Sequence, residues 1–384
     1  MIVLSSLLVV VVVAVVVARP WQDVPPPLRA PSSSQPQSLR SVSVDFGIVT
    51  DPATDWAALD AHLDEVGATG VDLNAGRVEF TAFDWAAYPD AAAEPGADHI
   101  ARAARALRLT GDGRQREIGL VVDAYVPEWI VQDPSIAGRS ADGTPATYTA
   151  SAAQLARGPV GDRLVEYVAA LGERYEPSQI AITELFLDIN SFGDDDLALF
   201  REMTGATDWP RTADGLPDDY ADSVAAWRAD VLAGLLARMR SALDAVDGGR
   251  GAGIVLAMDA RVDFDDPAKG SPVSGQLYDV LLRSADRLVL WAYLFGQRPP
   301  TDISRVTAGL EEAGYDMSRF TVSVGMWAPF SVDPPGVLSA DVLTQAVEEA
   351  ATNGVTHVNV TPASLLTDED WAALAAVWNP TSPS

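Results

Sequence analysis

The chain has 384 residues, a formal net charge of −28 at pH 7 and a sequence pI near 4.2. That charge argues against nucleic acid and anionic membrane surfaces as partners, because like charges repel. The chain contains no cysteine, which removes disulfides, thiolate catalysis and Cys-ligated metal centres.

Residues 1–18 (MIVLSSLLVVVVVAVVVA) form an unbroken apolar run. Its length is at the lower edge for a membrane-spanning helix. It also fits a signal peptide with a small-residue cleavage site at Val16-Val17-Ala18, although no basic residue precedes it. Both readings place the rest of the chain outside the cytoplasm, extracellular or membrane-anchored. Residues 19–40 are rich in Pro, Ser and Gln. Such a stretch buries too little apolar area to offset its ordering and reads as a linker.

Residues 41–384 read as one domain built from eight copies of a strand, a loop and an amphipathic helix. The predicted strands are 41–49, 70–75, 117–125, 179–186, 252–260, 286–294, 319–327 and 356–363. Helices are expected at 55–69, 97–109, 161–175, 222–246, 274–285, 302–314, 339–354 and 367–378, with Thr367 and Asp370 set as a capping box. Alternation of this kind predicts an α/β fold, a (β/α)8 TIM barrel. Each strand begins apolar and ends polar or aromatic, and in such a barrel the strand C-termini build the site. The stretches 76–96, 126–156 and 187–221 are long insertions on that same face.

The strand ends carry the candidate chemistry. Ile180, Ile182 and Glu184 alternate along strand 4, so Glu184 is placed at the inward-facing top of the barrel if the two isoleucines point inward. A carboxyl in a cleft has its pKa raised, which suits a general acid. Asp259 on strand 5, Asp123 on strand 3 and Asp188 in the strand-4 loop are candidate second carboxylates. Asp259 has a structural alternative, a simple pairing with Arg261. Asp72, Asn74 and Asn359 suit hydroxyl recognition. Arg77 suits a substrate carboxylate or a catalytic Asp, or pairs locally with Glu79. Tyr125, Trp129, Trp291, Tyr293 and Trp327 suit stacking against sugar rings, with core packing the alternative.

The acidic runs Asp194-Asp195-Asp196 and 262–267 lack calcium-loop spacing, and the first reads as a solvated helix start. His62, His99 and His357 are scattered, and no phosphate or dinucleotide glycine motif is present. No metal and no cofactor are expected.

The segment AITELFLDINSFGDDDLALFREMTG (181–205) resembles a stretch in several glycoside hydrolases with barrel folds, where a similar D-L-x-x-F-R-x-x-T-G helix follows strand 4. The helix at 220–243, with its Trp227-Arg228 pair, is similar to the next helix of those proteins. The resemblance covers residues 180–260 and elsewhere rests on barrel order. It implies that Glu184 is similar to the strand-4 acid/base of such enzymes, acting on a carbohydrate substrate. Two departures stand out. Thr183 occupies the place where the largest retaining clan has Asn, and strand 7 (FTVSVGMWAP) has no carboxylate for a nucleophile. The expectation is a paired-carboxylate hydrolase of glycosidic bonds; the alternative is a non-catalytic carbohydrate-binding or scaffold barrel.

Overall fold

The computed structural model describes residues 27–29, 38–295, 298–327 and 336–379. The apolar run at 1–18 and most of the expected linker lie outside the described residues. Eight parallel strands close into a barrel: β1 (Leu39–Val44), β2 (Gly70–Arg77), β3 (Glu117–Asp123), β4 (Gln179–Thr183), β5 (Val255–Arg261), β6 (Arg287–Trp291), β7 (Phe320–Gly325) and β8 (His357–Thr361). Each pairs with its neighbours in sequence, and β8 returns to β1 with Val42 opposite Val360.

The long outer helices follow the expected pattern, including Pro159–Tyr175, Asp222–Asp244 and Thr301–Glu312. The Thr367–Asp370 capping box is formed, each side chain accepting the other's backbone N–H. Two elements differ from expectation. Residues 46–50 are a short helix rather than the end of β1, and it turns Val49 into the core. The helix expected at 274–285 is reduced to Tyr278–Leu281, preceded by a 3-10 turn at Pro272–Ser274. At both places tertiary packing overrides local propensity.

Leu28 shows that the expected linker is not uniformly extended away from the domain. It is 2% exposed, and its N–H donates to the Tyr175 carbonyl. The adjoining Arg29 N–H donates to Glu176. Among the described residues no helix is long and apolar enough to cross a membrane.

The two faces of the strands differ sharply. Val71, Leu73, Ile118, Leu120, Ile180, Ile182, Leu256, Met258, Leu288 and Leu290 belong to the main core. The alternate positions face the lumen. Among the described residues a small apolar cluster sits there, Ala181, Ala257 and Val289 with Val121 packed against it. Around it are Ser41, Ser43, Asp72, Gln179, Thr321, Ser323 and Asn359. Barrel lumens are usually filled by bulky branched side chains; small and polar ones here leave space.

The three insertions gather at the strand C-termini. The first carries a two-residue strand, Phe80–Thr81, folded back on Gly76 and Arg77. Gly76 has φ +96°, and a Cβ there would lie 2.2 Å from the Phe80 carbonyl oxygen, so the turn requires glycine. The second carries an antiparallel hairpin, Ala137–Arg139 with Pro145–Ala150. The third carries the helix Asp194–Thr204. Its acidic start is not simply solvated. Asp196 is fully buried and accepts the Ala153 and Gly193 N–H groups, and burial pushes its pKa up to about 7.

Candidate active site

A cavity of about 860 Å³ opens at the C-terminal end of the barrel. It brings together Asp72, Asn74, Asp123, Glu184, Asp259, Trp291, Tyr293, Trp327 and Asn359. Its volume is in the range that encloses a small organic ligand.

Glu184 reaches the cavity by a route that alternation alone does not predict. Ile180 and Ile182 point outward to the helices, so a continued strand would carry Glu184 outward with them. Instead β4 ends at Thr183, and Glu184 adopts φ +56°. That left-handed conformation, rare for a non-glycine residue, redirects the side chain to the cavity. Burial raises the Glu184 pKa; the Tyr125 hydroxyl, which donates to it, opposes that, and the negative charge of Asp123 adds to it.

Asp259 lies one strand away. It accepts from Trp291 Nε1 at 3.0 Å and from the Thr183 hydroxyl. Burial is the main cause that lifts its pKa from 3.8 to about 7, with the Glu184 and Asp72 charges adding. The alternative, a pairing with Arg261, is absent. Arg261 Nη1 instead donates to both oxygens of Asp188 at 2.8 Å, and its guanidinium lies 4.0 Å from the centre of the Phe186 ring. Asp188 also accepts from the Ser274 hydroxyl at 2.7 Å. Its carboxylate is therefore committed to holding the β4 and β5 loops together, and it does not line the cavity. Arg228, fully buried, ties the same loops through Ser191 Oγ at 2.8 Å and the Val273 carbonyl at 2.7 Å.

Asp123 is on the other side of Glu184, at the end of β3. It accepts the Tyr125 N–H at 2.8 Å, and Arg77 Nη1 stands 3.7 Å away. Burial raises its pKa, while that N–H and the Arg77 charge work against the rise. Arg77 also meets Glu79 at 3.3 Å, so it stands against both acids. It does not line the cavity.

Deeper in the lumen, Asp72 is buried and accepts from Ser41 Oγ (2.8 Å), Gln179 Nε2 (2.9 Å) and Asn359 Nδ2 (3.1 Å). Asn359 in turn accepts from the Ser323 hydroxyl at 2.9 Å. Asp72 and Asn359 thus belong to a bonded polar layer lining the cavity. Asn74 accepts the Gly76 N–H at 2.8 Å.

The aromatic residues form one wall. Trp291 and Tyr293 stack with centroids 5.5 Å apart and 11° between planes, and Trp327 lies 5.2 Å from Tyr293. Trp129 is not part of it: its ring faces Arg163 at 5.1 Å, and its backbone N–H donates to Glu79.

Sequence reasoning missed Thr183, Phe186, Gln179, Ser43 and Ser323. The signal was present for the lumen residues, since Gln179, Ala181 and Thr183 share one strand face and are all polar or small.

No family model matches the chain, and no curated protein matches it. Solved structures do. The glycoside hydrolase domain of PgaB (BpsB) from Bordetella bronchiseptica is similar with a TM-score of 0.64 and 16% identity, over 89% of this chain and 99% of that one. The β-galactosidase of Marinomonas ef1 is similar with a TM-score of 0.64 and 12% identity, over 88% of this chain and 59% of that one. The catalytic domain of β-amylase from Paenibacillus polymyxa gives a TM-score of 0.57 at 11% identity, over 88% and 97%. This chain thus spans little more than half of the β-galactosidase and nearly all of the other two domains. In fold, the barrel is similar to those of glycoside hydrolases.

Proposed function

We propose that this protein hydrolyses a glycosidic bond in an oligo- or polysaccharide. The observation that carries the reading is the trio Asp123, Glu184 and Asp259 on adjacent strands of one cavity, beside the stacked Trp291 and Tyr293. Glycoside hydrolysis needs one carboxyl that holds a proton and another that stays ionised. Glu184 is the proton donor to the glycosidic oxygen; burial and the neighbouring Asp123 charge raise its pKa, which favours that role. Asp123 is the ionised partner, either nucleophile or base to water: burial raises its pKa, and Arg77 and the Tyr125 N–H work against that rise. Asp259, with a pKa near 7 and two hydrogen-bond donors, is the proton-holding neighbour and steadies Trp291. The solved neighbours supply fold-level support only.

The test uses the full chain, its Glu184→Gln and Asp123→Ala variants, and a panel of plant and bacterial envelope glycans. The expected result is new reducing ends from wild type, a loss of about 10³-fold in Glu184→Gln, and partial rescue of Asp123→Ala by azide. Glycan binding without cleavage by wild type overturns hydrolysis in favour of a carbohydrate-binding barrel.

We further propose that the barrel acts outside the cytoplasm, released or tethered by residues 1–18, whose apolar run supports the reading. Protease treatment of intact cells checks this; protection of the barrel would refute it.

A further inference from the structure

The wall of rings does not stop at the cavity. Phe186 meets Trp291 edge-on at 6.4 Å, Tyr125 meets Phe186 at 5.9 Å, and Tyr148 lies 5.5 Å from Tyr125. Six aromatic side chains therefore run from Trp327 to Tyr148, and the Tyr125 hydroxyl within the series bonds Glu184. The two ends of the series differ. Trp291, Tyr293 and Trp327 line the cavity, whereas Tyr148 is on the hairpin and is 56% exposed.

The hairpin is fastened in place. The Val126 N–H donates to the Tyr148 carbonyl at 2.9 Å, and the Phe192 N–H donates to the Arg139 carbonyl at 2.8 Å. Gly138 lies against the β4 loop so closely that a Cβ would fall 2.2 Å from the Asn190 carbonyl oxygen. An exposed ring on a backbone held from two sides is a preset surface, with little ordering left for a ligand to impose.

We propose that Tyr148, backed by Tyr125, is a subsite for the sugar on the leaving-group side of the scissile bond, so the substrate is a glycan chain rather than a glycoside of a small aglycone. This rests on the hydrolase reading. A general acid stands beside the glycosidic oxygen. In the order of ring contacts, Tyr125, whose hydroxyl bonds Glu184, stands between the cavity rings and Tyr148. A pyranose there places its apolar C–H face on the ring and keeps its hydroxyls in water.

The experiment compares wild type, Tyr148→Ala and Tyr148→Trp in the full chain. Probes are the shortest oligosaccharide that wild type cleaves and the 4-nitrophenyl glycoside of the same sugar. The expected result is that Tyr148→Ala lowers the ratio of the two kcat/KM values about tenfold, through the oligosaccharide, and that Tyr148→Trp restores it. The carbonyl that Val126 uses is unchanged in both variants, and circular dichroism checks the fold. An equal loss on both probes, or no loss on either, overturns the subsite. If wild type cleaves nothing, binding of the glycan panel to wild type and Tyr148→Ala decides. Weaker binding of long chains alone supports the subsite while hydrolysis fails; equal binding, or no binding to either protein, overturns it.

Discussion

Asp259→Asn isolates one electrostatic consequence of the lumen. In the unfolded chain this carboxyl titrates near its ordinary value of 3.8; in the folded protein it titrates at about 7. The folded state therefore holds a proton that the unfolded state has released. Below the ordinary value the two states are equally protonated and nothing is lost. As the pH rises toward 7 the folded state loses stability relative to the unfolded one, and above 7 the full cost of a buried charge remains, about 4 kcal/mol. Asparagine carries no such cost, and its side-chain oxygen still accepts from Trp291 Nε1. The stability of Asp259→Asn relative to wild type should thus rise by roughly 4 kcal/mol between pH 4 and pH 8.5. Urea unfolding followed by tryptophan fluorescence at both pH values reads the difference. A difference that stays flat with pH would refute the argument, because Asp259 would then ionise in the fold as readily as in water. The same variant separates the two partner assignments: retained cleavage supports Asp123 as the ionised carboxylate, and abolished cleavage transfers that role to Asp259.

Leu28→Ala removes a buried side chain that docks ahead of β1. It should cost about 3 kcal/mol in urea unfolding; a cost below about 1 kcal/mol would show that residues 27–29 are not part of the folded unit. Arg261→Met removes a positive charge that lowers the Glu184 pKa. With that charge gone, Glu184 keeps its proton to higher pH, and the alkaline limb of the pH–rate profile should move upward. An unmoved limb would show that another group sets it.

The barrel was legible because its evidence is repetitive. Eight apolar strands with polar ends, separated by amphipathic helices, point to one architecture even where two boundaries move. The cavity residues were legible for the same reason, since strand ends in a barrel converge. What stayed hidden depends on single backbone torsions and on pairings distant in sequence. The alternation of Ile180, Ile182 and Glu184 gave the correct destination for Glu184 through the wrong geometry. The isoleucines face the helices, and a left-handed residue corrects the aim. Asp188 looked equivalent to Asp123 as a carboxylate near the mouth. Only the fold shows that Arg261, 73 positions away, occupies it. The sequence was similarly silent on Asp72 and Asn359, whose side chains bond each other across 287 positions.

The division between the two faces of each strand has a consequence for how this chain tolerates change. Neighbouring positions along β4 carry unlike duties: Ile180 and Ile182 hold the sheet to its helices, while Gln179, Ala181 and Thr183 shape the space inside. Substituting lumen residues one by one should alter what fits the barrel while leaving its outer adhesion intact. Inserting or deleting a single residue within a strand is a different kind of event. It exchanges the two sets at once, driving leucine and isoleucine into the lumen and Asp and Ser against the helices. Ligand preference can therefore drift freely by replacement, but strand length cannot, which leaves the loops as the place where this barrel can grow.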